Sequence, residues 1–270
     1  MMVGRYVAFK VDKEKLDRGE PVLQVAEARM GTENGLEWLS GVNLAVFFFF
    51  FLGLAGVAGN GQMELFDAIV GVEQLDEGRI TLGGEEITHC SPVEISMKGL
   101  ASIPQDRILQ GLLMGFTVEE NLILGLQRRL PFRKGAFLDQ KAITSFADTS
   151  IEDYDIATPS PQQRAGVLSG GNLQKVILAR ELSQKPKCVL ASSPTRGLDV
   201  GAMKYVHNRL VELRHEGAAV LLISEDLDEI FNIADRIAVI FRGRIMGVFA
   251  VDEVDKERIG LLMAGVQEVS

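Results

Sequence analysis

Cysteine is scarce in this chain. Cys90 and Cys188 are the only two, far apart and without His or Cys at metal-ligand spacing around them. That usage fits a reducing compartment and argues against a zinc site. Basic charge is short as well, with 28 Lys and Arg against 37 Asp and Glu and a formal net charge of −9. Bulk electrostatics therefore disfavour a nucleic-acid backbone or an anionic membrane surface as partner, while a local phosphate site stays compatible with the balance. The start of the chain lacks a secretory pattern, because Met1 to Lys10 is charged and is not followed by an apolar run and a small-residue cleavage site. A long apolar run is missing too. Leu44 to Gly59, with Phe47 to Phe51 in it, is uncharged for about sixteen residues, a little less than a spanning helix needs. Its glycine-rich second half predicts a buried strand running into a glycine turn rather than a membrane span.

What is present is core material. The 270 residues, 47% of them hydrophobic, suit one large domain or one domain with an inserted lobe. Val22 to Ala26 reads as a strand start, and Val42 onward as an apolar strand followed by Gly56-Val57-Ala58-Gly59-Asn60-Gly61-Gln62-Met63 and a helix from Glu64 to Val70. Arg79 to Leu82, the turn Gly83-Gly84 and Ile87-Thr88 predict an antiparallel pair. A short helix near Pro92 to Lys98 leads to a strand, Leu100 to Ile103. Between Gln105 and Gly166 the pattern turns helical, with Thr117 and Glu120 forming a capping box and a further helix over Asp139 to about Asp153. This predicts an inserted helical lobe over about 106–166, closed by the two prolines of Ala157 to Pro161, which a helix cannot absorb. The remainder alternates: strand Cys188–Ala191, helix Val200–His215, strand Ala218–Ser224, helix Asp226–Ala234 and strands Arg236–Phe241 and Arg244–Phe249, then a terminal helix from about Asp255. Such alternation predicts an α/β fold with a mainly parallel sheet covered on both faces, beside an antiparallel β subdomain and the helical lobe. Met2-Val3-Gly4 echoes Met263-Ala264-Gly265, as it would if residues 1–20 were the tail of a preceding, similar unit and the domain proper ran over 21–270.

Two stretches carry the chemistry. Strand, glycine loop and helix, in that order, is the context a phosphate-binding loop requires, and Gly56 to Gly61 has the G-x-x-x-x-G spacing. Leu168-Ser169-Gly170-Gly171-Asn172 leads directly into the helical pattern Leu173 to Leu182. Glycines at a helix start let a polyanion come close to backbone N–H groups, where the positive end of the helix dipole also favours it.

Together with Gln105 after a core strand and Pro194-Thr195-Arg196-Gly197-Leu198-Asp199 after another, these motifs resemble an ABC-transporter nucleotide-binding domain over essentially the whole chain. GVAGNGQ, LSGGN-x-QKV, PTRGLDVGA and SEDLDEI look like the second cassette of the tandem ATP-binding subunit of bacterial importers for nucleosides and simple sugars. The resemblance implies a P-loop NTPase core, ATP as ligand at Gly56, Gly59, Asn60, Gly61, Gln62, Met63 and Gln105, and a D-loop at Gly197, Leu198 and Asp199. It also implies a head-to-tail partner cassette, membrane permease subunits and a place on the cytoplasmic face of the cell membrane.

Against that pattern several positions depart. A working loop ends in Lys and then Ser or Thr, which hold the β- and γ-phosphates and magnesium. Gln62 and Met63 stand there. Methionine is no ligand for magnesium, because its thioether is soft and the ion takes oxygen. The next strand should end in Asp and Glu and ends in Ser192 and Ser193; without the carboxylate a general-base contribution of roughly a hundred- to ten-thousandfold is gone. Glu225 occupies the place of a His that meets the γ-phosphate. For the aromatic that stacks on adenine, Met30 is the nearest counterpart. A polar turn with a glycine is usual where Phe47 to Phe50 stand, so the phenylalanines are either a peculiarity of this chain or a contact with a membrane-domain or partner surface. The expectation is a degenerate site with no catalytic group of its own and no certain metal ligand, which can still bind nucleotide through backbone amides. Leu168 to Asn172, unaltered, should complete an ATP and Mg2+ site whose Lys, Glu and His lie on the partner. The rival expectation is a self-sufficient ABC-type ATPase unconnected with transport. A membrane-inserted structural protein using Leu44 to Gly59 is a third.

Overall fold

A computed structural model describes residues 17–31, 35 and 37–266. In chain order the first elements are β1 (Pro21–Gly31), β2 (Glu37–Phe47), β3 (Phe51–Ala55), α1 (Gln62–Val70), β4 (Glu77–Leu82), β5 (Glu85–Glu86), α2 (Pro92–Lys98) and β6 (Leu100–Ile103). Then come α3 (Val118–Leu122), β7 (Arg133–Lys134), β8 (Phe137–Leu138), α4 (Gln140–Asp153), α5 (Gly170–Leu182) and β9 (Cys188–Ser192). The last are α6 (Val200–His215), β10 (Ala219–Ser224), α7 (Leu227–Ile233), β11 (Arg236–Phe241), β12 (Arg244–Ala250) and α8 (Lys256–Met263). They fall into two compact units, one drawn from Met1–Leu100, Lys187–Ser193 and His207–Ser270, the other from Ala101–Pro186 and Pro194–Val206. The stretch 106–166 lies inside the second, which also takes in α5. Of residues 1–20, all but 17–20 lie outside the described residues.

The first unit contains two sheets. One runs β12-β11-β3-β10-β9, with β11, β3, β10 and β9 parallel and β12 antiparallel at the edge. Every residue of β3, β9 and β10 is buried, as parallel strands covered on both faces require. Gly53 is obligatory within β3, because a Cβ there would lie 2.5 Å from Ile230 Cγ2 on α7. The other sheet, β2-β1-β4-β5, is antiparallel and alternates in burial. Its β1 breaks register between Val25 and Ala28, where Glu27 takes φ 51°. Inward residues of both sheets share one core, with Leu23, Leu39, Ile80, Leu54 and Leu65 among its buried members.

Two expectations about this unit change. Leu44 to Gly59 is not one strand: β2 ends at Phe47, the chain turns through Phe48 to Phe50, and β3 starts at Phe51 in the other sheet. Hydrogen bonds to distant parts of the chain anchor the turn. Phe48 N–H donates to Glu20 O, Phe49 N–H to Gly217 O, and Phe51 N–H to the Asp235 carboxylate at 2.9 Å. The same carboxylate receives both Nε and Nη2 of Arg214, a residue only 1% exposed. The second change concerns the hairpin at Gly83-Gly84, whose glycines both take positive φ as its tight turn demands. Its return strand is Glu85–Glu86, two residues before the predicted Ile87-Thr88. Thr88 still serves the ladder, through a side chain whose Oγ1 accepts the Ile80 N–H at 3.0 Å.

The second unit contains residues 106–166 together with α5 and 194–206, and holds less helix over 106–166 than expected. Thr117 and Glu120 form the capping box, but α3 ends at Leu122, Arg107–Gly111 is a single π-helical turn, and the pair β7-β8 occupies a stretch that the pattern assigned to helix. Asp139 caps α4. Ile123, Leu126, Phe132 and Ile143 build a small core in which the Phe132 and Phe146 rings meet edge to face at 5.0 Å. Asn121, fully buried, accepts the Leu113 N–H and donates to the carbonyls of Leu113 and Thr117, so it fastens the segment before α3 without leaving a polar atom unpaired.

Candidate nucleotide-binding and signature sites

In the first unit, β3 delivers Gly56 to the loop that ends in α1. A Cβ on Gly56 would sit 2.5 Å from Gln62 Nε2 and 2.8 Å from Ile240 Cγ2, so glycine is needed for the loop to close over itself. Gly59 (φ 83°) and Gly61 (φ 103°) take left-handed conformations, and Gly61 caps α1 with no side-chain hydrogen bond. The first amides of α1 are thus free of side-chain acceptors. Nothing lies within 4 Å of where a Gly59 Cβ would be, which makes this the open side of the loop. A Cβ on Gly61, in contrast, would meet Trp38 O at 2.6 Å.

Gln62 is 5% exposed, and its Nε2 donates to Val57 O at 2.9 Å, tying the loop across its mouth with a neutral group. Asn60, 6% exposed, is committed to the scaffold: Nδ2 donates to Met263 O and Oδ1 accepts the Arg242 N–H. Its expected contact with nucleotide can therefore come only from its main chain. At the end of β9, buried Ser192 donates its hydroxyl to Met63 Sδ at 3.6 Å. Ser193 takes φ 40° and its N–H donates to Ile223 O at 2.8 Å. At the end of β10, Glu225 is exposed.

Behind Glu225 stands a cluster that sequence reasoning passed over. Glu229 is 4% exposed; its Oε2 accepts the Ser224 hydroxyl at 2.6 Å and its Oε1 lies 3.1 Å from His207 Nε2. The available signal was a carboxylate on the apolar face of a short helix. Met30 is corrected. It is 5% exposed and packed in the core of both sheets, so it has no open ring-sized face to offer adenine.

In the second unit, Gln105 is half-buried in the loop after β6. Next to it, the Asp106 carboxylate accepts the Leu109 and Ile108 N–H groups, and these bonds hold its pKa below the usual carboxylate range. Ser169 caps α5. Its Oγ accepts from Asn172 N and Nδ2, at 3.4 and 2.9 Å, while Asn172 Oδ1 accepts the Ala157 N–H. Ser169 is exposed and Leu168, Gly170, Gly171 and Asn172 are half-buried, so the helix start faces outward from its own unit. The serine's proton remains able to donate.

The start of α6 lies beside it in the same unit. A Cβ on Gly171 would be 3.2 Å from Ala202 Cβ, and one on Gly170 would be 3.9 Å from Leu198 Cδ2 and 3.8 Å from Arg107 Nη2. Asp199 Oδ1 accepts the Ala202 N–H at 2.9 Å, and Gly197 turns at φ 68°. Arg107, absent from the sequence-based site, donates to Arg196 O at 2.9 Å and so braces Gly197 against the start of α5. No motif spacing marks an arginine that acts across eighty-nine residues.

A sequence profile described as ABC transporter matches residues 39–196. The chain belongs to the ABC transporter family. The guanosine import ATP-binding protein NupO of Bacillus subtilis (strain 168) is 42% identical over 265 residues, covering 98% of this chain and 52% of the relative. The glucose import ATP-binding protein TsgD13 of Haloferax volcanii is 40% identical over 267 residues, covering 98% of this chain and 48% of the relative. The chain thus spans about half the length of the relatives it matches. Among solved structures, a nucleotide-free ATP-binding cassette from an ABC transporter superposes with a TM-score of 0.75 at 25% identity, over 90% of this chain and 95% of that one. The fold is that of an ABC cassette, a P-loop NTPase with a mixed α/β sheet, an antiparallel β subdomain and helices.

P-loop NTPases hold Mg2+ through the loop's Ser or Thr and a strand-end Asp. This cassette has a thioether and a serine hydroxyl at those two places, in contact with each other. Among the described residues no group of three or more His, Cys, Asp or Glu is placed to hold a metal ion. The residues of the loop and strand end do not fit the ion.

Proposed function

We propose that this chain is a degenerate ATP-binding cassette of an importer for nucleosides or simple sugars, and that it supplies Leu168 to Asn172 to the ATP site of a partner cassette. One contrast carries this reading. In the chain's own loop Met63, Ser192 and neutral Gln62 stand where magnesium ligands and a lysine are needed, while Ser169, Gly170 and Gly171 keep an outward-facing, capped helix start. Such a helix start is suited to an anion brought by another surface. The partner would carry the Lys, Glu and His, and hold Mg2+ with its ATP. We place it in the same polypeptide, with residues 1–20 as the tail of that preceding cassette and 21–270 as this one; relatives about twice as long support the arrangement. Membrane permease subunits on the cytoplasmic face of the cell membrane would receive the motion that ATP-driven closure generates, near Gln105. Nucleosides rank ahead of sugars on GNGQ and SEDLDEI.

The test uses Ser169→Arg. In the assembled transporter this change should abolish ATP hydrolysis and uptake, while the 270-residue chain alone should release phosphate from ATP at a negligible rate. Full activity of the mutant complex sinks the reading. Turnover by the isolated chain that disappears on Gln62→Ala would instead establish a self-sufficient ATPase.

A further inference from the structure

A polyphosphate in a P-loop is normally neutralised by three devices: the loop amides, a lysine and the bound cation. Here two of them are missing for chemical reasons. The side chain at the lysine position is the uncharged Gln62, held to Val57 O. The two oxygen-donor positions for the cation are Met63 and Ser192, and the serine hydroxyl spends its proton on the methionine sulfur in a place 1% exposed. Mg2+ demands several oxygen donors in near-octahedral array and gives up its waters reluctantly, so a thioether beside one neutral hydroxyl, with no carboxylate, recruits it poorly. What survives is the backbone: positive φ at Gly59 and Gly61, open space beside Gly59, and a nine-residue helix whose first amides no side chain caps.

We propose that this loop binds its nucleoside polyphosphate without a divalent cation, as the free anion. The inference rests on reading Gly56 to Met63 as a nucleotide site, and it sharpens the site's regulation. In the cell most ATP is complexed with magnesium, and a site that offers the metal no ligand gains nothing from it. Occupancy would then follow the concentration of uncomplexed nucleotide and fall as Mg2+ rises. The partner cassette's site would respond in the opposite sense.

Isothermal titration of the 270-residue chain with ATP, in EDTA and in millimolar Mg2+, tests this directly. The apparent dissociation constant should be clearly lower in EDTA than in Mg2+, where little nucleotide stays uncomplexed. Equal affinity in the two buffers, or weaker binding in EDTA, overturns the proposal, and so does absence of binding in both. Gly59→Asp and Gly59→Asn locate the ligand, since both side chains tolerate positive φ, face the same open space and differ in charge. The Asp variant should bind on the order of a hundredfold more weakly than the isosteric Asn variant, with equal melting temperatures showing that both fold. Equal affinity of the two variants places ATP elsewhere and overturns the proposal. The triple change Gln62→Lys, Met63→Thr and Ser192→Asp should make ATP affinity depend on Mg2+. A triple variant that folds yet binds ATP in Mg2+ no better than the wild type overturns the assignment of cation-free binding to these three positions. Mg2+-dependent binding without hydrolysis defeats only this inference; hydrolysis at this loop defeats the degenerate-cassette reading itself.

Discussion

Cys188 opens β9 with no exposed surface, and burial pushes its thiol up to about 12 from an ordinary value of 9.0. The unfolded chain therefore loses this proton first as pH rises. The thiol's contribution to stability is intact below pH 9.0 and declines progressively towards about pH 12. Urea unfolding across that range should show a falling midpoint whose slope is reduced in Cys188→Ala; an unchanged slope would refute the assignment. Half-buried Cys90 should react with a thiol reagent well before Cys188 does. Residues of this kind differ in how far the sequence reveals them. Gln62, Met63, Ser192 and Ser193 are readable as departures because each stands at a position whose chemistry demands another type. Asn60 and Met30 are not, since the partners that immobilise them lie far along the chain or on the neighbouring sheet, and no local pattern records such distances.

Elements with local causes were legible. The capping box at Thr117, the glycine turn at Gly83-Gly84 and the apolar runs of β9 and β10 each follow from a few adjacent residues. The division of Leu44 to Gly59 between two sheets was not, because an unbroken apolar run has no period from which to tell one strand from two. Nor was β7-β8, too short to carry alternation. Close approach of elements leaves one usable trace, a glycine inside an apolar strand. At Gly53 the neighbour is Ile230 of α7, and the space is already filled. Gly53→Ala should destabilise the protein by about 1–3 kcal/mol through overpacking, read as a lowered denaturation midpoint. An unchanged midpoint would mean that α7 yields freely. Because α7 follows directly on Glu225, this variant would also show whether that loop depends on the helix beneath it.

At the scale of the molecule, the fold class was available from strand and helix alternation, whereas the composition of each unit was not. The second unit gathers 194–206 from far down the chain and sets Leu198 and Ala202 beside Gly170 and Gly171. Among the described residues no helix is long and apolar enough to cross a membrane. Expressed alone, the chain should remain in the supernatant after high-speed centrifugation; co-expressed with the permease subunits proposed for it, it should move to the membrane pellet. Lipid association without them would revive a membrane-inserted role for Leu44 to Gly59. That stretch raises a further matter of bookkeeping in space. Five identical side chains in succession cannot tell the chain which of them begins the central strand, and a slip of one residue would turn every following side chain to the wrong face. The main chain settles it. Glu20, Gly217 and Asp235 take the amides of Phe48, Phe49 and Phe51 one by one, the last across 184 residues. The phase of β3, and with it the position of the loop it feeds, is thus decided by the far end of the sequence, so chains cut before Asp235 should lose the frame in which Gly56 to Met63 is read.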